Sequence, residues 1–103
     1  MKDMEALAAL ADPTRIRIVE ELAGGPMTAN EVVGLFSISQ PSISRHLRIL
    51  REAGLVTVHP IGRQRLYHLD PQPLAEIDIW LARFRQFWSD KLEALETHMD
   101  EGN

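Results

Sequence analysis

Ser39-Gln40-Pro41-Ser42-Ile43-Ser44-Arg45-His46-Leu47-Arg48-Ile49-Leu50-Arg51-Glu52-Ala53-Gly54-Leu55-Val56 reads as a short helix with opposite chemistry on its two sides. Ile43, Leu47, Leu50 and Ala53 recur at helical spacing, which marks the side turned to a core. Between them, Gln40, Ser42, Ser44, Arg45, His46 and Arg48 supply amide, hydroxyl and cationic groups. That set reads base edges and grips phosphates in a major groove, so the segment is a candidate recognition helix. Ser39 suits its N-cap, and Pro41 is tolerated in the first turn.

Upstream, Met4, Leu7, Ala8 and Ala11 suggest a short first helix, which Asp12-Pro13 ends while starting a second with an N-cap and a proline at N1. Ile16, Val19, Leu22 and Ala23 give the second helix its expected apolar side, and Gly24-Gly25-Pro26 stops it. Thr28-Ala29-Asn30-Glu31 matches a capping box, so a third helix is expected from Thr28, with Val32, Val33 and Phe36 inward. Ser37-Ile38-Ser39 is then a tight turn.

Downstream of Gly54 the spacing changes from helical to alternating. Leu55-Val56-Thr57-Val58-His59 and Arg65-Leu66-Tyr67-His68-Leu69 read as two strands joined by Pro60-Ile61-Gly62-Arg63-Gln64. A helix-turn-helix over 28–54 followed at once by a hairpin wing over 55–69 is a winged helix in outline: mainly α with a small β-hairpin. A last helix is expected over 70–101, entered at Asp70-Pro71 or two residues later at Gln72-Pro73. Leu74, Ile77, Leu81, Phe84, Trp88, Leu92, Leu95 and Met99 step along it by three or four residues. Trp80 and Phe87 widen that stripe beyond what one small domain readily covers, so the helix is expected to be an interface. The inference is a homodimer joined through Trp80, Phe84, Phe87, Trp88, Leu92 and Leu95, with Leu7 of the first helix beside them.

At 103 residues the chain suits one domain, 1–103, with a modest core, and its 45% hydrophobic and 25% charged residues match an ordinary soluble protein. Zero cysteines exclude disulfides and thiolate metal sites and fit a reducing compartment. Met1-Lys2-Asp3-Met4-Glu5 has neither the basic start nor the apolar run of a signal peptide, and no segment approaches membrane-spanning length, so a cytoplasmic location without membrane association is expected. The net charge of -4 argues against nucleic acid only as an average. Between Ser37 and Leu69, Arg45, Arg48, Arg51, Arg63 and Arg65 face Glu52 alone, whereas the region from Asp70 onward is strongly acidic. A local basic surface can attract double-stranded DNA while an acidic remainder limits nonspecific binding.

Arg45 and Arg48 are therefore expected DNA contacts, and Arg63, at a glycine-preceded hairpin tip with Arg65 close behind, suits a narrow minor groove. Gln40, Ser42 and Ser44 are candidate base readers or phosphate donors, and near a helix start they equally serve as caps. His46 either donates to DNA or bridges the turn. His59 and His68, in strands, are read as structural. Ser44 with His46 makes no catalytic pair, since no oriented acid or oxyanion donor accompanies it; no catalytic residue, metal or cofactor is assigned.

Three ordered segments resemble the ArsR family of bacterial winged-helix repressors over nearly the whole chain. Leu10-Ala11-Asp12-Pro13-Thr14-Arg15-Ile16-Arg17-Ile18 is similar to the family's opening motif, Ser39 to Val56 resembles its recognition-helix signature, and Gly62-Arg63-Gln64-Arg65-Leu66-Tyr67-His68-Leu69 looks like its wing. The resemblance implies a dimeric repressor that leaves a two-fold-related operator when a signal arrives. It also implies a departure, because many relatives sense metals or redox state through cysteines and this chain has none. A second family site pairs Asp-x-His with His-x-x-Glu on the final helix; here Asp78-Ile79-Trp80 puts tryptophan in place of histidine, and His98-Met99-Asp100-Glu101 supplies only the other half. The Trp80-to-Leu92 pattern resembles a cysteine-free branch of the family, and the effector is left unknown. The rivals to this reading are a repressor of another winged-helix family and a protein-interaction module that kept the fold without DNA binding.

Overall fold

The computed structural model of the protein describes residues 2–101, and the side chains of residues 4–96. Among these, five helices and three short strands follow one another: α1 (Lys2–Ala9), α2 (Pro13–Ala23), β1 (Met27–Thr28), α3 (Ala29–Val33), α4 (Gln40–Glu52), β2 (Val56–Ile61), β3 (Gln64–Leu69) and α5 (Gln72–Glu101). The architecture is a winged helix-turn-helix, mainly α with a small antiparallel sheet in the order β1-β3-β2.

Local chemistry sets most boundaries. The Asp12 carboxylate accepts from the backbone amides of Thr14 and Arg15 at 2.8 and 3.2 Å, with Pro13 opening α2. Thr28 and Glu31 complete the capping box of α3, which ends after five residues at Gly34. Ser39 Oγ accepts from the Ser42 amide and caps α4. The other end of α4 closes in a Schellman turn: Gly54, at φ 81°, donates to Arg51 O, and Leu55 donates to Leu50 O. Leu50 and Leu55, which such a turn brings together, are both fully buried, so the helix stops and β2 starts from one point in the core.

β2 and β3 pair from Val56↔Leu69 to Ile61↔Gln64, leaving a two-residue loop, Gly62-Arg63. Gly62 has φ 60° and Arg63 does not have positive φ, the combination a type II′ hairpin turn requires. The strands are thus longer and the loop shorter than the sequence suggests. Pro60 sits within β2 without cost because β2 is the sheet edge. β1 is an addition with no strong sequence signal, pairing Met27 with Tyr67 and Thr28 with Leu66.

The core joins Ala6, Ala9, Ile18, Val19, Leu22, Val32, Ile43, Leu47, Leu50, Leu55, Val56 and Ile77. Two helix faces are rotated relative to expectation. In α2 Val19 and Leu22 are buried as expected, but Ile18 joins them in place of Ile16, which is 42% exposed, and Ala23 lies on the surface. In α1 the small Ala6 and Ala9 turn inward, and Met4 and Ala8 outward, because close approach to α4 and α5 favours alanine over a larger side chain.

α5 begins at Gln72, the later of the two expected starts, with Asp70 Oδ1 accepting from the Gln72 amide at 3.0 Å. Its thirty residues span about 45 Å at the usual rise. Its buried and half-buried side chains, Pro73, Leu74, Ile77 and Trp80, all lie in its first turns; every described side chain from Leu81 onward is exposed. The Cα radius of gyration is accordingly 18.3 Å, against roughly 13 Å for a compact domain of this size. Among the described residues no helix is long and apolar enough to cross a membrane.

Replacing Asp12 tests the role of this cap. Burial alone would raise this carboxyl's pKa, but the Arg15 and Thr14 amides, the Arg15 charge and, at acid pH, the charge on His46 outweigh it and hold the group below its ordinary value of 3.8. A depressed carboxyl contributes stability that is fully present above about 3.8 and disappears as the pH falls through its lower folded value. Asp12→Ala should cost about 1 kcal/mol at neutral pH. Asp12→Asn should keep the cap and lose the acid-dependent part, as thermal melts between neutral and acid pH will read.

Candidate nucleic-acid interface

α4 sorts its side chains as its sequence does. Ile43, Leu47 and Leu50 are at most 3% exposed, whereas Gln40, Ser42, Ser44, Arg45 and Arg48 all stand in solvent. Thirteen residues give the helix a length of about 20 Å, and a B-form major groove roughly 12 Å wide admits a helix. α3 and the six-residue turn pack behind α4 through Val32, Val33 and Phe36, so the polar face is presented on a fixed support.

The expected DNA residues fall into distinct settings. Ser42 accepts a 3.0 Å hydrogen bond from Ser39 Oγ while its own amide is capped by Ser39, so its hydroxyl belongs partly to the helix start. Ser42, Arg45 and His46 line an open cleft of about 220 Å³ with Asp12, Arg15 and Ile49. Arg63 and Arg65 line a second cleft, of about 270 Å³, together with Gln64 and the start of α3 at Thr28, Ala29 and Asn30. The wing arginines therefore flank the helix-turn-helix at α3, and Arg63 occupies the hairpin tip itself.

His46 departs from the simple outward reading. It is half-buried, and its Nδ1 lies 3.1 Å from Arg15 Nη1, on α2. Arg15 has only 14% of its side chain exposed; its Nε donates to Ala9 O at the end of α1, and its Nη1 lies 3.9 Å from Asp12 Oδ2. Residue-by-residue reading missed Arg15 because its partner is 31 positions away. The Asp-Pro-Thr-Arg run was legible as a helix start, but nothing local points it at the recognition helix.

His59 and His68 stack edge to face across β2 and β3, with ring centroids 4.8 Å apart. Asp78, half of the incomplete metal motif, forms an ion pair with Arg85. The other half, from His98 to Glu101, lies outside the residues whose side chains are described. Among the described residues, no three His, Cys, Asp or Glu side chains come together as a metal would need.

The apolar stripe of α5 remains uncovered. Trp80 and Phe84 stack edge to face at 5.0 Å, Phe87 and Trp88 at 5.6 Å, and Lys91 Nζ lies 5.6 Å from the Phe87 ring centre. Phe84, Phe87, Trp88, Leu92 and Leu95 are between 39% and 59% exposed, and Leu7 is half-buried where α1 packs beside α5.

Comparison with known proteins gives the same outline. The family model described as bacterial regulatory protein, arsR family, matches residues 12–58, from the cap of α2 into β2. The chain is 46% identical over 79 residues to the HTH-type transcriptional regulator Rv2034 of Mycobacterium tuberculosis, covering 77% of this chain and 74% of that protein. It is 41% identical over 76 residues to the transcriptional repressor SdpR of Bacillus subtilis, covering 74% of this chain and 84% of that one. A crystal structure of an ArsR family transcriptional regulator superposes with a TM-score of 0.79 at 30% identity, over 86% of this chain and 98% of the other. With its helix-turn-helix, its wing and these relatives, the chain belongs to the ArsR family of transcriptional regulators: it is a DNA-binding regulator and not an enzyme.

Proposed function

We propose that the protein is a homodimeric, cytoplasmic repressor that binds a two-fold-related double-stranded operator and blocks transcription by occupying promoter DNA. The supporting observation is the division of α4, with Ile43, Leu47 and Leu50 buried while Gln40, Ser42, Ser44, Arg45 and Arg48 stay exposed. In this reading all 103 residues work as one unit. Residues 28–54 carry the DNA-reading helices, residues 55–69 the wing and residues 70–101 the dimer contact.

Each α4 enters a major groove, where Gln40, Ser42 and Ser44 reach base edges and Arg45 and Arg48 hold phosphates. His46 adds a donor, and Arg63 and Arg65 reach backbone or the adjacent minor groove. The α5 stripe of Trp80, Phe84, Phe87, Trp88, Leu92 and Leu95, with Leu7 beside it, closes on the same stripe of a second copy. Such self-complementary closure is the usual geometry of a two-fold dimer. No metal, cofactor or membrane contact takes part in this function.

Selection of duplexes from a random-sequence pool tests this function for an operator of any sequence. The expected result is enrichment of an inverted repeat bound by two protomers per duplex. Binding without sequence preference, or one protomer on an unsymmetric site, would refute it.

A further inference from the structure

We propose that Arg15 is a positioning residue for DNA recognition, fixing the neutral His46 ring with its proton on Nε2 so that α4 presents His46 to DNA as a hydrogen-bond donor. The proposal rests on the operator reading above and adds a residue and a mechanism to it.

A guanidinium has five N–H donors and no acceptor. At 3.1 Å from Arg15 Nη1, His46 Nδ1 must therefore be the acceptor, and a neutral imidazole that accepts at Nδ1 carries its hydrogen on Nε2. The two ring nitrogens diverge, so Nε2 is aimed away from Arg15, and the ring lines an open cleft with Ser42 and Arg45. Arg15 is itself held in place, by Ala9 O at its Nε and by the Asp12 carboxylate near its Nη1. That carboxylate is kept ionised by its capping amides. The chain of contacts runs from the end of α1 through the cap of α2 to the middle of the recognition helix.

The chemical consequence is selectivity. An Nε2 that only donates accepts a partner such as a phosphate oxygen, guanine O6 or N7, adenine N7 or thymine O4, and it rejects the amino group of cytosine. Without Arg15 the other tautomer becomes available, Nε2 becomes an acceptor and the ring is free to turn. Lysine does not substitute, because one compact ammonium lacks the planar fork that spans Ala9 O and His46 together.

The test has two arms. In the first, long-range proton–nitrogen NMR of the free wild-type protein, at a pH where the ring is neutral, should show His46 protonated on Nε2; a proton on Nδ1 overturns the proposal without needing any variant. In the second, operator affinity is measured by fluorescence anisotropy on the selected duplex for Arg15→Ala, Arg15→Lys, His46→Ala and the double variant Arg15→Ala/His46→Ala. Each single variant should bind about tenfold more weakly. The double variant should be no weaker than His46→Ala, since Arg15 acts through that ring. The salt dependence of Arg15→Ala should match wild type. Additive losses, a flattened salt slope or full affinity in Arg15→Lys would each show that Arg15 acts by its own charge and overturn the proposal. A wild-type protein with the Nε2 tautomer but no selective DNA binding would instead refute the operator reading, and with it the role in recognition.

Discussion

Phe87→Glu is expected to yield a folded monomer that binds the operator at least a hundredfold more weakly, although no residue facing DNA has changed. Phe87 is half exposed in the single chain, so the free protomer tolerates a glutamate there with little loss of stability. In a closed seam the same carboxylate is buried among aromatic rings, and an unpaired buried charge costs about 3–5 kcal/mol. At about 1.4 kcal/mol per factor of ten that is a loss of at least two decades in dimer affinity. Operator binding falls with it, because a monomer forfeits the second half-site and the effective concentration that tethering provides. Sedimentation equilibrium combined with operator anisotropy reads both effects. A variant still dimeric at micromolar concentration with wild-type operator affinity would remove α5 from the dimer contact.

The combined replacement Arg45→Ala/Arg48→Ala/Arg63→Ala should abolish operator binding at physiological salt while leaving the fold and the dimer intact. All three side chains are exposed, so their removal leaves no cavity. Each phosphate contact contributes about 0.9 to the slope of log affinity against log salt, and a dimer loses six such contacts, so the slope should flatten by about 5. The regions before and after the basic segment are each net acidic, which makes this test sharp, since they present no net positive surface to replace the lost contacts. A triple variant with unchanged affinity or unchanged slope would place the DNA elsewhere on the protein.

What could be read without the structure is what local chemistry decides. Asp12, Thr28 with Glu31, and Ser39 each cap a helix through partners two or three residues away, so the starts of α2, α3 and α4 were visible in the chain. The two faces of α4 were visible for the same reason, since a strongly amphipathic helix leaves one rotation about its axis. α1 and α2 are weaker cases. Ile16 and Ile18 are equally apolar, and only the packing of α2 on α4 and β3 decides that Ile18 goes inside. β1 escaped because two residues carry no periodicity and exist as a strand only through Tyr67 and Leu66, far along the chain. The hairpin loop is shorter than the sequence suggests because Pro60 reads as a strand breaker until β2 is known to be the edge. Arg15 escaped for the most general reason: its role is a contact between helices, and neither helix alone announces it.

The uncovered stripe of α5 and the polar face of α4 meet in one claim, that two copies present two recognition helices to one side of a duplex. Hydroxyl-radical footprinting on the selected operator tests that claim most directly. Two protected segments related by a two-fold axis are expected, centred about one helical turn or a whole number of turns apart, with flanking protection from the wings. That pattern should vanish in both Phe87→Glu and the triple arginine variant. A single unsymmetric protected segment, or the same two-fold pattern persisting in Phe87→Glu, would contradict it.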